Sequence, residues 1–123
     1  MPEIKFTVPG PPVGKERPRR GRYGNFYTPK RTHDFEAKVW LSFLGVALYS
    51  KRRIIREAKK VCIITMCFFK SKRHPDTDNV VKAVWDGLSG EGRFGNDNRF
   101  CGGVAFDFDK ENPRTEIRIS WET

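Results

Sequence analysis

The residues best able to do chemistry sit in one stretch, HPDTDNVVKAVWDGLSG, residues 74–90. Asp76 and Asp78 stand two apart, and Lys82 and Asp86 follow Asp78 at four-residue intervals. Carboxylate oxygens are hard donors that suit Mg²⁺, an ion that keeps several waters and needs only a few protein ligands. A third ligand must come from elsewhere, and Asp97, in the polar turn GNDNRF just before a strand, is a candidate. The same residues also fit a purely structural role. Asp76 and Asp78 would then cap a helix, where the dipole favours carboxylates by roughly 0.3–1 kcal/mol each. Asp78, Lys82 and Asp86 would form a solvated charge ladder along one helical face. On spacing alone the structural role is the simpler one.

Other ions fit less well. An EF-hand loop starting at Asp76 would need an oxygen side chain at position 80 and glycine at 81, and both are valine. Zinc is disfavoured because His33 and His74 lie far apart, and Cys62, Cys67 and Cys101 do not join them at ligand spacing.

The elements that must hold these residues can be read in outline. IKFTV (Ile4–Val8) alternates and stops at Pro9, the pattern of a strand leading into a Pro/Gly-rich loop. Residues 9–31 form a long basic loop or arm, with a short hairpin around RYGNFY. A helix over residues 34–49 is predicted, capped by Thr32 or Asp34 and buried along Phe35, Val39, Phe43 and Val46. KRRIIREAKK reads as a basic helix end or connector. VCIITMCFF (Val61–Phe69) is apolar on both faces, as in a central or interface strand. Val81, Val84, Trp85 and Leu88 predict the buried face of a second helix, closed by the glycines of SGEG. FCGGVAFDFD and TEIRISWE supply two last strands. The expected fold class is α+β: a single domain over residues 1–123, with a mixed sheet packed against two main helices in the order β-α-β-α-β-β.

Composition narrows the class further. The chain has 123 residues and a formal net charge of +9, enough for one sizeable core. It has no apolar run of about 18 residues, so no membrane span is expected. No signal-peptide-like start is expected either, because Lys5 interrupts the first apolar stretch. An odd number of cysteines without a CxxC pair fits reduced thiols better than a disulfide framework. The charge is unevenly spread: residues 1–31 carry +6, residues 51–60 carry +5, and residues 76–123 carry −4. A basic front and an acidic rear imply that one part holds a polyanion and the other a cation.

At this point the motifs resemble a family. DTDNVVKAVWDGL followed by GNDNRF is similar to the RusA-type Holliday junction resolvases, whose signature is D-x-D-N-x-x-K-x-x-x-D-x-L with an acidic pair after the helix. GPPVGKERPR, with YTP a few residues on, resembles the arm of the same family. The resemblance implies a cytoplasmic, nucleoid-associated protein of bacterial or phage origin that resolves four-way DNA junctions as a homodimer in recombination and repair. It implies Mg²⁺ as cofactor, with Mn²⁺ as the alternative. It makes Asp76, Asp78 and Asp97 the metal-binding and catalytic aspartates and Lys82 the catalytic lysine, with Asn79, Asp86 and Asn96 in support. Asp86 lies two turns from Asp78, about 12 Å along the axis, too far to share an ion, so a salt bridge to Lys82 or another supporting role is expected. The sequence departs from the family at Asn96, where an adjacent Asp-Asp pair is common.

The DNA footprint is expected on Lys15, Arg17, Arg19, Arg20 and Arg22 of the arm, with Lys30 and Arg31 after it. Tyr23, Phe26 and Tyr27 are interleaved, as on surfaces that also stack on bases. The basic residues of segment 51–60 could continue it onto another duplex arm. Two rivals remain open: a branched-DNA-binding protein that has lost catalysis, and a metal-dependent nuclease for flaps or other branched DNA.

Overall fold

The computed structural model of the chain describes residues 2–123. The first strand, β1 (Glu3–Pro9), turns Phe6 and Val8 inward and stops at its proline. The arm follows, and in it β2 (Arg19–Arg20) and β3 (Phe26–Tyr27) pair antiparallel, the short hairpin expected around RYGNFY. Next come α1 (Lys30–Leu44), α2 (Tyr49–Glu57), β4 (Lys60–Phe69) and α3 (Thr77–Leu88). A 3₁₀ turn (Asp97–Arg99) leads into β5 (Phe100–Cys101), β6 (Val104–Phe108) and β7 (Arg114–Glu122).

The sheet is mixed. β7 lies between β1 and β4 and is antiparallel to both, while β5 and β6 run parallel to β4 along its other edge. β4, α3 and β5–β6 thus form a parallel crossover unit, and the fold is α+β as expected, with a third helix, α2, added to the expected order. The interruption between β5 and β6 has a local cause: a side chain on Gly102, at φ +144°, would collide with the Ile63 carbonyl on β4.

Both main helices pack on one face of the sheet. Phe35, Val39 and Phe43 of α1 and Val80, Ala83, Val84 and Leu88 of α3 meet Val61, Ile63, Cys67, Ile117, Ile119 and Trp121 from the strands. The three cysteines are free thiols, and burial pushes the Cys67 pKa up to about 11. The opposite face of β4 presents Cys62, Ile64, Met66 and Phe68, each only half-buried.

Several expectations need correction. α1 runs over Lys30–Leu44 instead of 34–49, because Pro29, with φ −54° and ψ 143°, occupies its N-cap and starts the helix early. Neither Thr32 nor Asp34 caps it, and Val46 is exposed beyond its end. Most of the basic segment 51–60 belongs to a separate helix, α2, with Ile55 buried beneath it. The buried face of α3 is turned by about one residue from the predicted stripe, leaving Val81 and Trp85 half-buried. Gly87 explains the turn. A Cβ there would lie 2.8 Å from the Glu36 carbonyl oxygen, so the small Ala83–Gly87 side is what lets α3 close on α1.

Candidate active site

Asp76 is the N-cap of α3, and its Oδ1 accepts the Asp78 backbone N–H at 2.9 Å. The capping role is therefore real. The charge ladder is not. Asp76, Asp78 and Lys82 are all exposed, and none of them makes an ion pair among the described residues. Asp76 keeps one carboxylate oxygen uncommitted and Asp78 both. That donor set fits a hard divalent cation.

Asp97 begins the 3₁₀ turn, and Asn96 caps it through Oδ1, which accepts the Asn98 N–H at 2.9 Å. This repeats the Asp76–Asp78 geometry, so Asn96 is a turn residue that accepts a hydrogen bond. The structure places Asp97 far from the other two aspartates. α3 starts beyond the end of β4 and runs back along it, about 18 Å for its twelve residues. Asp97 lies just ahead of Phe100, which pairs with Val61 at the beginning of β4. At the other end, His74 stacks on Phe69 at 3.9 Å and lies near Phe106 and Phe108. Accordingly, no three His, Cys, Asp or Glu side chains gather into a metal cluster among the described residues.

The supporting residue Asp86 has a partner that the sequence did not indicate. Lys15 Nζ, from the arm, sits 3.0 Å from Asp86 Oδ2 and 2.8 Å from Glu36 Oε1 on α1. Burial alone would lower the Lys15 pKa, but hydrogen bonds and charge from Glu36 and Asp86 outweigh it and raise the value. Backbone contacts fix the same point: Lys15 N–H donates to the Asn79 carbonyl at 2.8 Å. Gly14 packs so closely on Pro75 that a Cβ would lie 2.9 Å from the proline Cβ. The buried Thr32 hydroxyl contacts Gly14 O and Glu16 N, each at 3.3 Å. Lys15, expected at the DNA footprint, pins the arm to both helices. Asp86 pairs with Lys15, not with Lys82. Glu36 gave no sequence signal and Thr32 only that of a helix cap, since nothing in a helical pattern marks which polar residue will meet a distant loop.

The remaining basic candidates are exposed. Arg19 is tied to Glu16 at 3.2 Å and Lys30 to Asp34 at 2.7 Å. Arg17, Arg20, Arg22 and Arg31 make no ion pair among the described residues. Lys30 and Arg31 belong to the first turn of α1. Tyr23, Phe26 and Tyr27 project from the hairpin with 91%, 72% and 48% exposure, available to stack on another molecule.

An acidic turn with no ion pair among the described residues, a lysine one turn on and a basic, aromatic arm docked on Pro75 and Asn79 are the kinds of group that phosphate chemistry uses. The family model for endodeoxyribonuclease RusA matches residues 9–120, and the chain belongs to that family. Membership implies a nuclease that acts on branched DNA junctions and, as family nucleases generally do, uses a divalent metal. No curated protein matches the chain. No helix among the described residues is long and apolar enough to cross a membrane.

Proposed function

We propose that the protein is a Mg²⁺-dependent endonuclease that resolves four-way DNA junctions by paired phosphodiester cuts, working as a homodimer. The observation that carries this reading is the Asp76–Asp78 pair at the start of α3, without an ion partner among the described residues, beside an arm held there by Lys15. In a chain with net charge +9, carboxylates left without a cation are suited to an ion from solution.

Asp76 and Asp78 hold the ion, and Asp76 also keeps the helix start in shape. When bound, the divalent ion supplies positive charge for a non-bridging phosphate oxygen and lowers the pKa of water beside it. Lys82, exposed one turn beyond Asp78, stabilises negative charge that builds on the phosphate during cleavage. Arg17, Arg20, Arg22 and Arg31 hold the flanking backbone, and the hairpin aromatics stack where strands part.

Asp97 completes the ligand set from a second copy of the chain. Within one chain it lies at the far end of α3, so a contribution to the same ion requires a partner. The half-buried Ile64 and Met66 line an open groove of about 520 Å³ on the sheet face away from the helices, and this supports a subunit contact there. A two-fold dimer also matches the two opposed cuts that a four-way junction needs. Asn96 does not favour the catalytically dead alternative, because it caps a turn as an aspartate would.

The test incubates a synthetic four-way junction and a linear duplex with Mg²⁺, comparing wild type with Asp78→Asn. Junction-selective cutting that disappears in the variant is expected. Binding without cutting, equal cutting of linear duplex or flaps, or full activity of Asp78→Asn would each overturn part of the reading.

A further inference from the structure

A second basic feature lies outside the arm. α2 and the loop between α3 and the 3₁₀ turn enclose a groove of about 320 Å³. Four arginines line it, Arg52, Arg53, Arg56 and Arg93, against a single carboxylate, Glu57, which is already tied to Arg53 Nε at 3.4 Å. Its walls include two aromatic rings: the Arg52 guanidinium lies 5.2 Å over Tyr49 and that of Arg93 lies 5.6 Å over Trp40. The framework is built rather than loose. The Arg99 guanidinium ties the Ile55 and Ala58 carbonyls at the end of α2 to the Phe94 carbonyl. Gly90 and Gly95 exchange backbone hydrogen bonds of 2.8 and 3.1 Å, closing the loop that carries Arg93.

One detail separates this groove from an ordinary solvated basic face. Arg52 Nε is buried and has no hydrogen-bond partner among the described residues, a costly state for a charged donor. Planar arginine forks are matched to phosphate oxygens, and stacking on tyrosine pre-orients them. Tyr49 remains 73% exposed even with Arg52 over it, so its ring can also meet a base.

We propose that this groove is a second phosphate site, holding a DNA phosphodiester a few nucleotides from the one being cut. The inference rests on the nuclease reading for the identity of the polymer and, through Asp97, for the distance to the cut. Arg93 lies four residues before Asp97, so at most about 14 Å of chain separates them. That is roughly four steps of a DNA strand at 3.4 Å each. The loop thus offers a metal ligand at one end and a phosphate-holding arginine at the other, and the strand beyond the cut is fixed by α2.

The test titrates a labelled four-way junction without divalent metal at several salt concentrations, so that binding is read apart from cutting. Arg52→Gln/Arg56→Gln is expected to bind several-fold more weakly. Its slope of log affinity against log salt should fall by about 0.9 for each phosphate that is no longer neutralised. Arg56→Gln alone, at an exposed position, should show part of the effect with wild-type thermal stability. Unchanged affinity and slope in both variants overturns the proposal. Inorganic pyrophosphate added as competitor distinguishes the source of the phosphate. Pyrophosphate binding that vanishes in the double variant while junction binding stays at the wild-type level would assign a free-phosphate site and overturn the DNA assignment. A wild type that fails to cut with Mg²⁺, while the variants still lose affinity and slope, contradicts the nuclease reading and supports the groove.

Discussion

Lys15 Nζ lies 3.0 Å from Asp86 Oδ2, joining the basic arm to the helix that carries Asp76 and Asp78. The second carboxylate, Glu36 at 2.8 Å, comes from α1, so one ammonium holds an arm and two helices in a fixed relation. Lys15 retains only 25% side-chain exposure and Glu36 13%, well below the exposed pairs Lys30–Asp34 and Arg53–Glu57.

Removing the ammonium leaves two carboxylates facing each other, one of them largely buried. Lys15→Met is therefore expected to cost about 1–3 kcal/mol in urea unfolding. Asp86→Asn, at a more exposed position with Glu36 still in place, should cost less, below about 1 kcal/mol. Because Lys15 is committed to this cluster, Lys15→Met should leave the salt slope of junction binding close to wild type. Arg20→Gln should lower that slope by about 0.9.

The pH response follows from the raised Lys15 pKa. A lysine whose pKa is higher in the folded state contributes stability that is fully present below its ordinary value of 10.5. The contribution is lost as pH rises through the folded value. The arm is expected to stay docked through neutral pH and to loosen above 10.5, seen as rising protease cleavage between residues 16 and 29 while the core remains folded.

The acidic turn allows chemistry and stability to be separated by choice of substitution. Asparagine caps a helix about as well as aspartate, whereas alanine costs about 1 kcal/mol. Asp76→Asn should thus keep wild-type stability and lose cleavage by roughly a hundredfold or more, while Asp76→Ala should lose both. Asn96→Asp should be neutral in stability, because either side chain can accept the Asn98 N–H. Unfolding curves run alongside cleavage rates check all three.

Gly102 should tolerate no side chain. At φ +144°, with the Ile63 carbonyl where a Cβ would go, Gly102→Ala must push β5 away from β4. A loss of several kcal/mol or failure to fold is expected, whereas Gly103→Ala, with open space around it, should fold.

The fold and the acidic helix were legible in the sequence because each rests on local pattern. Alternation marked β1 and β7, the unbroken apolar run marked β4, and the motif around Asp76 coincided with a helix start. What was not legible depends on contacts between distant segments. The α3 stripe was misplaced by a residue because Gly87 permits a close approach that periodicity does not encode. The start of α1 was placed late because a proline cap competes with the Thr32 and Asp34 signals. Lys15 looked like any other arm cation until Glu36 and Asp86 converged on it. The separation of Asp97 from Asp76 and Asp78 is a property of strand order, visible only once β5 pairs parallel with the first residues of β4.

That separation makes a mixing measurement decisive. Asp78→Asn and Asp97→Asn are each prepared alone, expected to be inactive, then combined under conditions that exchange subunits and assayed on a four-way junction with Mg²⁺. If Asp76 and Asp78 of one chain work with Asp97 of its partner, a mixed dimer carries one intact site. The mixture should then recover nicking of the junction without the paired cut. A mixture as inactive as its components, despite verified mixed dimers, or a single variant that cuts at the wild-type rate, would contradict a site shared between two chains.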